Sequence, residues 1–312
     1  MRFKLYVIAA GILFGTTGTA QAFAPATASS LSIGSARLGF GGLLLAAVGL
    51  AVFLAKHRTA ENEPAQPSLA PLERMKLAWP ALVALLLGAC SVMGYQATFF
   101  AGTRANGVAV GTVLAIGSSP MFAGLFEWIV LKVRPTLLWL VLTLVGIGGV
   151  YLLSATGITP ERFDPLGVAA SLGAGASYAA YTVCMRVLLE RGWESLQAVS
   201  AMLGIGAILA FGVLASTDTS WLTQVRGIAV ISWLAVVTVV VTYILNARGL
   251  SGTSAAMTAT LTLAEPATAS TLGIVILHES IGLPGIAGMA LVVGSVLGLG
   301  LGASSAPARE QA

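Results

Sequence analysis

The sequence predicts an all-α membrane protein whose ten transmembrane helices form two inverted five-helix repeats, with both termini cytoplasmic. Three observations lead there. Of the 312 residues, 57% are hydrophobic and only 9% charged, with a mean hydropathy of +0.91, a balance foreign to a soluble domain of this length. Apolar windows of about twenty residues, long enough to cross a bilayer as a helix, recur ten times along the chain. Lysine and arginine gather in alternate connections between those windows.

The windows lie near 5–24, 31–55, 77–100, 103–126, 137–155, 166–188, 195–215, 229–247, 253–276 and 284–303. The first follows Arg2 and Lys4 and ends at Thr19-Ala20-Gln21-Ala22, which imitates a signal-peptide cleavage site. Further apolar segments follow it, and a first helix with a basic flank has the same form, so it reads as a retained span. Connections at 25–30, 101–102 and 248–252 carry little polar punctuation. The longest connection, 56–76, contains Pro64, Pro67 and Pro71 and reads as a flexible cytoplasmic linker without a core.

With the N-terminus inside, the inner flanks hold Arg2, Lys4, Lys56, Arg58, Arg74, Lys76, Lys132, Arg134, Arg186, Arg191, Arg248 and Arg309. The outer flanks hold only Arg104, Arg162 and Arg226. That bias sets the orientation. It also accounts for the net charge of +4, which in a soluble chain would point to nucleic acid; no nucleic-acid partner is expected here.

The chain repeats itself weakly. Setting Pro120 against Pro266 aligns Gly107-Val108-Ala109-Val110 with Thr253-Ser254-Ala255-Ala256, and Gly11 to Gly15 matches Gly175 to Ala179. Five helices per half is an odd number, so the second half enters from the opposite side of the membrane, the construction of carriers that alternate between two open states. The expected units are residues 1–157, residues 158–303 and a cytoplasmic tail, 304–312. Glycines at four-residue spacing, Gly11/Gly15, Gly107/Gly111 and Gly294/Gly298/Gly302, suit close helix packing.

Enzyme chemistry finds little purchase. Cys90 and Cys184 lie in apolar runs, and His57 and His278 are the only histidines. Neither histidine belongs to a His-Glu-x-x-His pair, and no Gly-x-Ser-x-Gly elbow or phosphate-binding Walker loop occurs. No cofactor or metal is expected.

Polar groups inside apolar helices are the alternative. Glu265 and Pro266 stand at the centre of the ninth window, where a carboxylate loses hydration and a proline has no N–H for the carbonyl of Thr262. They mark a substrate path, or else a kinked helix whose acid satisfies freed backbone groups. Other such groups are Thr17 and Gln21 in the first helix, Tyr95 and Gln96 in the third, and Ser119 and Pro120 in the fourth. The second half adds Tyr178, Tyr181, Tyr243 and Asn246. Their clustering on helices one, three, four, six, eight and nine fits one cavity between the halves. Arg37, two turns into the second helix, either snorkels to the interface or points inward toward an anionic group.

In Phe14-Gly15-Thr16-Thr17-Gly18, Arg37, Tyr95-Gln96, Pro120, Leu263-Ala264-Glu265-Pro266 and Leu277-His278-Glu279-Ser280, the chain resembles the EamA-type, ten-helix members of the drug/metabolite transporter superfamily over residues 5–303. Phe14 in place of a frequent tryptophan, His278 in place of a glycine and an acid-free Lys132-Val133-Arg134 depart from that pattern. The resemblance implies a secondary carrier of small metabolites in a bacterial inner membrane, commonly an exporter of amino acids or related compounds. Proton or substrate coupling at Glu265 is the expectation of the residue itself, since burial at mid-span favours the protonated acid and a nearby cation the carboxylate. Within the superfamily, drugs, sugars, nucleobases and vitamins are further substrate classes. A membrane-embedded enzyme or a non-transporting membrane partner is the competing class.

Overall fold

A computed structural model describes residues 1–60, 71–154, 164–278 and 282–301. They form α1 (Arg2–Ala22), α2 (Ser30–Ala60), α3 (Pro71–Asn106), α4 (Val108–Leu131), α5 (Leu137–Ser154), α6 (Pro165–Glu190) and α7 (Ser195–Leu214). Then come α8 (Val225–Ala235), α9 (Thr242–Leu250), α10 (Ala255–Leu261), α11 (Ala264–Leu277) and α12 (Leu283–Leu301). Because α8 and α9 join into one span, as do α10 and α11, nine segments among the described residues are long and apolar enough to cross a membrane; α5 is a shorter tenth. No strand occurs among the described residues.

The helices pair mainly across the two halves of the chain. Most of the extensive contacts join α3 and α4 to α6, α2 to α7, α5 to α12, and α1 to α9 and α11. Alternating helix direction gathers the start of α1, the ends of α2, α6, α9 and α12, and the starts of α7 and α10 at one end, the basic end. There Lys4 is buried and its Nζ donates to the Leu299 carbonyl at 2.8 Å, so this flanking lysine also caps the last helix. Lys56 Nζ meets Glu194 at 2.6 Å. At the opposite end a short turn inserts Trp221, whose Nε1 donates to Ser32 Oγ at 2.9 Å.

Several boundaries differ from the sequence expectation, each for a local reason. The third helix does not stop at 100: it runs to Asn106 and turns at Gly107, whose φ of 82° is open to glycine at little penalty. Gly102, expected in the connection, is instead pressed against Ser171 of α6 with no room for a side chain. The 56–76 linker is shorter than expected, since helix covers its first and last residues, and 61–70 lie outside the described residues. The eighth span starts at Val225 and widens into a π turn over Val236–Val241, where Thr242 Oγ1 donates to the Val237 carbonyl at 2.7 Å.

The ninth span is not one helix. It breaks at Thr262-Leu263, and the Thr262 carbonyl, expected to be freed by Pro266, accepts from the Glu265 N–H at 2.9 Å. Pro120, the repeat partner of Pro266, sits inside an unbroken α4. The two prolines therefore share a level in the sequence repeat but not a geometry.

The glycine spacing is used unevenly. A Cβ on Gly11 would lie 3.1 Å from the Cβ of Ala264, so α1 and α11 approach closely as expected. Gly294 has nothing within 4 Å of such an atom, and Gly302 lies outside the described residues. The expected divide between the halves, 156–164, is outside them except for Asp164. Asp164 is tied to the end of α3: Asn106 Nδ2 donates to its carbonyl at 3.0 Å and its N–H donates to Asn106 Oδ1 at 2.8 Å.

Candidate functional site

A cavity of about 390 Å³ lies among α1 to α6, α9 and α11, and its lining reaches Gln21, Gly34, Phe100 and Leu153, near the helix ends away from the basic flanks, which form its mouth. Glycines let it form. At Gly15 a Cβ would lie 2.6 Å from the carbonyl oxygen of Glu265, so only a bare backbone allows α1 to lie against the break in the ninth span. Gly34 does the same for Phe100, 2.8 Å from where its Cβ would stand, and accepts from Gln96 Nε2 at 3.2 Å. Backbone proximity at these points sets Thr17, Gln21, Arg37, Tyr95 and Gln96 around one space.

Arg37 points inward and does not snorkel. Its Nη1 donates to Thr17 Oγ1 at 3.3 Å, and its Nε is buried without a partner. Glu265 enters from the first turn of α11, where the helix N-terminus favours a carboxylate. The Arg37 guanidinium acts electrostatically on Glu265, but the two form no ion pair within 4.0 Å. A guanidinium and a carboxyl group thus share the cavity without touching.

The wall is an arc of aromatic rings. Phe99 stacks on Tyr95 at 5.6 Å, Tyr95 meets Tyr178 at 6.4 Å and Tyr178 meets Tyr181 at 6.3 Å. Tyr181 then meets Tyr243 at 5.7 Å, and Tyr243 meets Phe14 edge-on at 5.3 Å. The Tyr178 hydroxyl donates to Thr262 Oγ1 at 3.2 Å, tying the arc to the helix break. Tyr181 is 2% exposed and forms the floor, whereas Arg37, Tyr95 and Glu265 keep partial exposure.

Of the residues singled out from the sequence, Thr17, Gln21, Arg37, Tyr95, Gln96, Tyr178, Tyr181, Tyr243, Glu265 and Pro266 line the cavity. Ser119, Pro120 and Asn246 do not. Because α4 is continuous, the Ser119 hydroxyl is satisfied by the Ile116 carbonyl at 2.9 Å, and it is Thr112 and Ile116, nearer the mouth, that reach the cavity. Asn246 lies behind the floor, 1% exposed, facing the Tyr178 hydroxyl without closing a well-formed hydrogen bond.

Phe99, Phe100, Ser91 and Ser270 line the cavity and were not singled out from the sequence. The phenylalanines carry no polar signal, and apolar rings are ordinary in apolar helices. Glu127 is inconspicuous in the sequence for another reason. Placing the fourth helix at 103–126 leaves this acid outside the span, whereas α4 runs from Val108 to Leu131 and buries it at 3% exposure.

Membrane-length helices around an aromatic-walled cavity with a few polar groups define a multi-pass membrane protein. The chain matches the EamA-like transporter family over residues 2–155 and 165–301. It is 36% identical over 310 residues to the uncharacterized transporter YwfM of Bacillus subtilis (strain 168), covering 99% of this chain and 95% of that protein. A solved crystal structure, 19% identical, superposes with a TM-score of 0.73 over 95% of each chain and shares the fold. The chain belongs to the EamA-like transporter family, and is accordingly a membrane transporter of small molecules.

Proposed function

We propose that this protein is a secondary carrier that exports amino acids or closely related zwitterionic metabolites across a bacterial inner membrane by alternating access. One observation carries the reading: Arg37 and Glu265 face the same aromatic-walled cavity unpaired. A zwitterion offers a carboxylate to the first and an ammonium to the second, and tyrosine faces attract an ammonium as well. The volume, about 390 Å³, is at the small end of the roughly 300–1,000 Å³ of ligand sites, which favours a metabolite over a large drug. Export, as against import, rests on the family resemblance. The excess of lysine and arginine on the inner flanks supports a cytoplasmic position for both termini and an outward-facing cavity mouth. Glu265, at the break between α10 and α11, is the group proposed to exchange a proton as the carrier turns over. The two stretches matched by the family, 2–155 and 165–301, support the five-plus-five repeat. The test is purified protein in liposomes with a panel of labelled amino acids, sugars and nucleobases. Saturable flux of amino acids, competed by unlabelled zwitterions and not by sugars, is the expected result; flux restricted to another class overturns it.

A further inference from the structure

The basic end of the molecule is shut by a charged clasp. Glu127, near the end of α4, reaches across to the first residues of α10. The Ala255 N–H donates to one carboxylate oxygen at 2.7 Å, and the Ala256 N–H donates to the other at 2.9 Å. From α6, Arg186 Nη1 donates to the carbonyls of Leu250 at 3.0 Å and Thr253 at 3.2 Å, on the other side of the same corner. Arg186 also meets Glu190 at 3.2 Å and acts electrostatically on Glu127. The corner between α9 and α10 is therefore held by an acid through its donors and a base through its acceptors.

What the corner holds is the cavity's closed side. Every residue of α10 from Ala255 to Leu261 except Met257 is buried. Ala259 packs with Ala123 of α4 and Ala179 of α6, between the clasp and the cavity floor. Two residues after α10 ends, α11 begins and delivers Glu265 into the cavity.

Among the described residues the mouth end has no buried acid in the equivalent place. The 146-residue offset that pairs Pro120 with Pro266 pairs Glu127 with Gly273. The corner before α4 is formed by Gly107 with no side-chain cap. Beside the Gly107 corner the tie is a neutral one, Asn106 with the backbone of Asp164, whereas the corner between α9 and α10 is tied by a carboxyl group and a guanidinium.

We propose that Glu127 is a positioning residue of the transport cycle: it clamps α10 against α4 and α6, keeps the basic end closed while the mouth is open, and must leave the Ala255 and Ala256 N–H groups when the carrier opens the other way. This rests on the alternating-access reading above. The two can fail separately, because flux tests the reading and sided accessibility tests the clasp.

The experiment uses full-length protein with Cys90→Ser and Cys184→Ser and a reporter, Ala259→Cys, in vesicles of both orientations. A membrane-impermeant thiol reagent is added from each end. With Glu127 present, the reporter is expected to react slowly from both ends. Glu127→Ala removes two charge-assisted hydrogen bonds and is expected to speed labelling from the basic end by roughly tenfold or more, while labelling from the mouth end does not rise. Glu127→Gln keeps one acceptor and serves if the alanine variant elutes as an aggregate; it is expected to move labelling in the same direction by less. Unchanged labelling from the basic end in a monodisperse Glu127 variant, or an equal rise from both ends, overturns the clasp. A wild-type protein without saturable flux would sink the alternating-access reading instead, whatever the labelling shows.

Discussion

Gly15 and Glu265 meet backbone to backbone: a Cβ on the glycine would stand 2.6 Å from the glutamate carbonyl oxygen and equally close to the Cβ of Thr268. The first helix is thereby the wall against which the break in the ninth span is set. Gly15→Ala forces one of them to move, at a cost of about 1–3 kcal/mol for an overpacked contact. Lower thermal stability and lost flux are expected. Gly212→Ala, where nothing lies within 4 Å of the added atom, is expected to change neither, as read by thermal unfolding in detergent and by liposome flux.

Arg37 offers a planar fork of which one N–H is engaged by Thr17 and the buried Nε is free. Lysine keeps the charge and loses the fork. Arg37→Lys is expected to raise the KM for a zwitterionic substrate roughly tenfold, and Arg37→Gln to raise it further. Transport kinetics equal to wild type in both variants would remove Arg37 from substrate recognition.

Glu265 is tested by an isostere that cannot ionise. Wild-type flux is expected to vary with pH and to respond to an imposed proton gradient. Glu265→Gln, checked for monodisperse elution, is expected to lose both responses. A glutamine variant with the wild-type rate and the wild-type pH profile would make Glu265 a structural residue.

Asn246 carries two buried amide atoms without a well-formed hydrogen bond, facing the Tyr178 hydroxyl. Leaving such groups unmet costs about 1–3 kcal/mol each, so a purely structural asparagine is poorly placed here. Asn246→Leu removes both polar atoms at similar size and is expected to leave thermal stability unchanged or higher while flux falls at least severalfold. Undiminished flux would show that the amide has no part in transport.

Orientation is open to direct measurement. A cysteine at Asp218, on the exposed turn before Trp221, is expected to react with an impermeant reagent on whole cells, and one at Glu194, paired with Lys56 at the basic end, is not. The reverse pattern would invert the topology and turn the cavity mouth toward the cytoplasm.

Much of this architecture was legible in advance because the bilayer imposes coarse rules. Span length and apolar character marked the helices, and a carboxylate beside a proline in mid-span marked Glu265-Pro266. Arg37 was visible as a charge in an apolar helix, but its direction was not: snorkelling and pointing inward give the same sequence, and only the approach of Thr17 decides between them. Ser119 and Pro120 show the opposite limit. Ser119 is a polar group in an apolar helix and Pro120 aligns with Pro266, a pattern that reads as part of the path, yet α4 stays intact and neither lines the cavity. Glu127 lies one residue past the 103–126 window, where an acid reads as interfacial, so hydropathy alone does not reveal its burial. A span edge set by hydropathy cannot see that Gly107, with its positive φ, moves the start of α4.

The pairing of helices across the two halves bears on how the protein is made. When synthesis has delivered α1 to α5 to the membrane, Glu127 has neither the α10 N–H groups nor Arg186 nearby, and α2, α3 and α5 lack α7, α6 and α12. The early helices must therefore wait in lipid, with an acid unmatched, until the later ones enter. The N-terminal half is in this sense an open form that the C-terminal half closes, and a ribosome that stalls between them leaves a chain with little hold on its own shape.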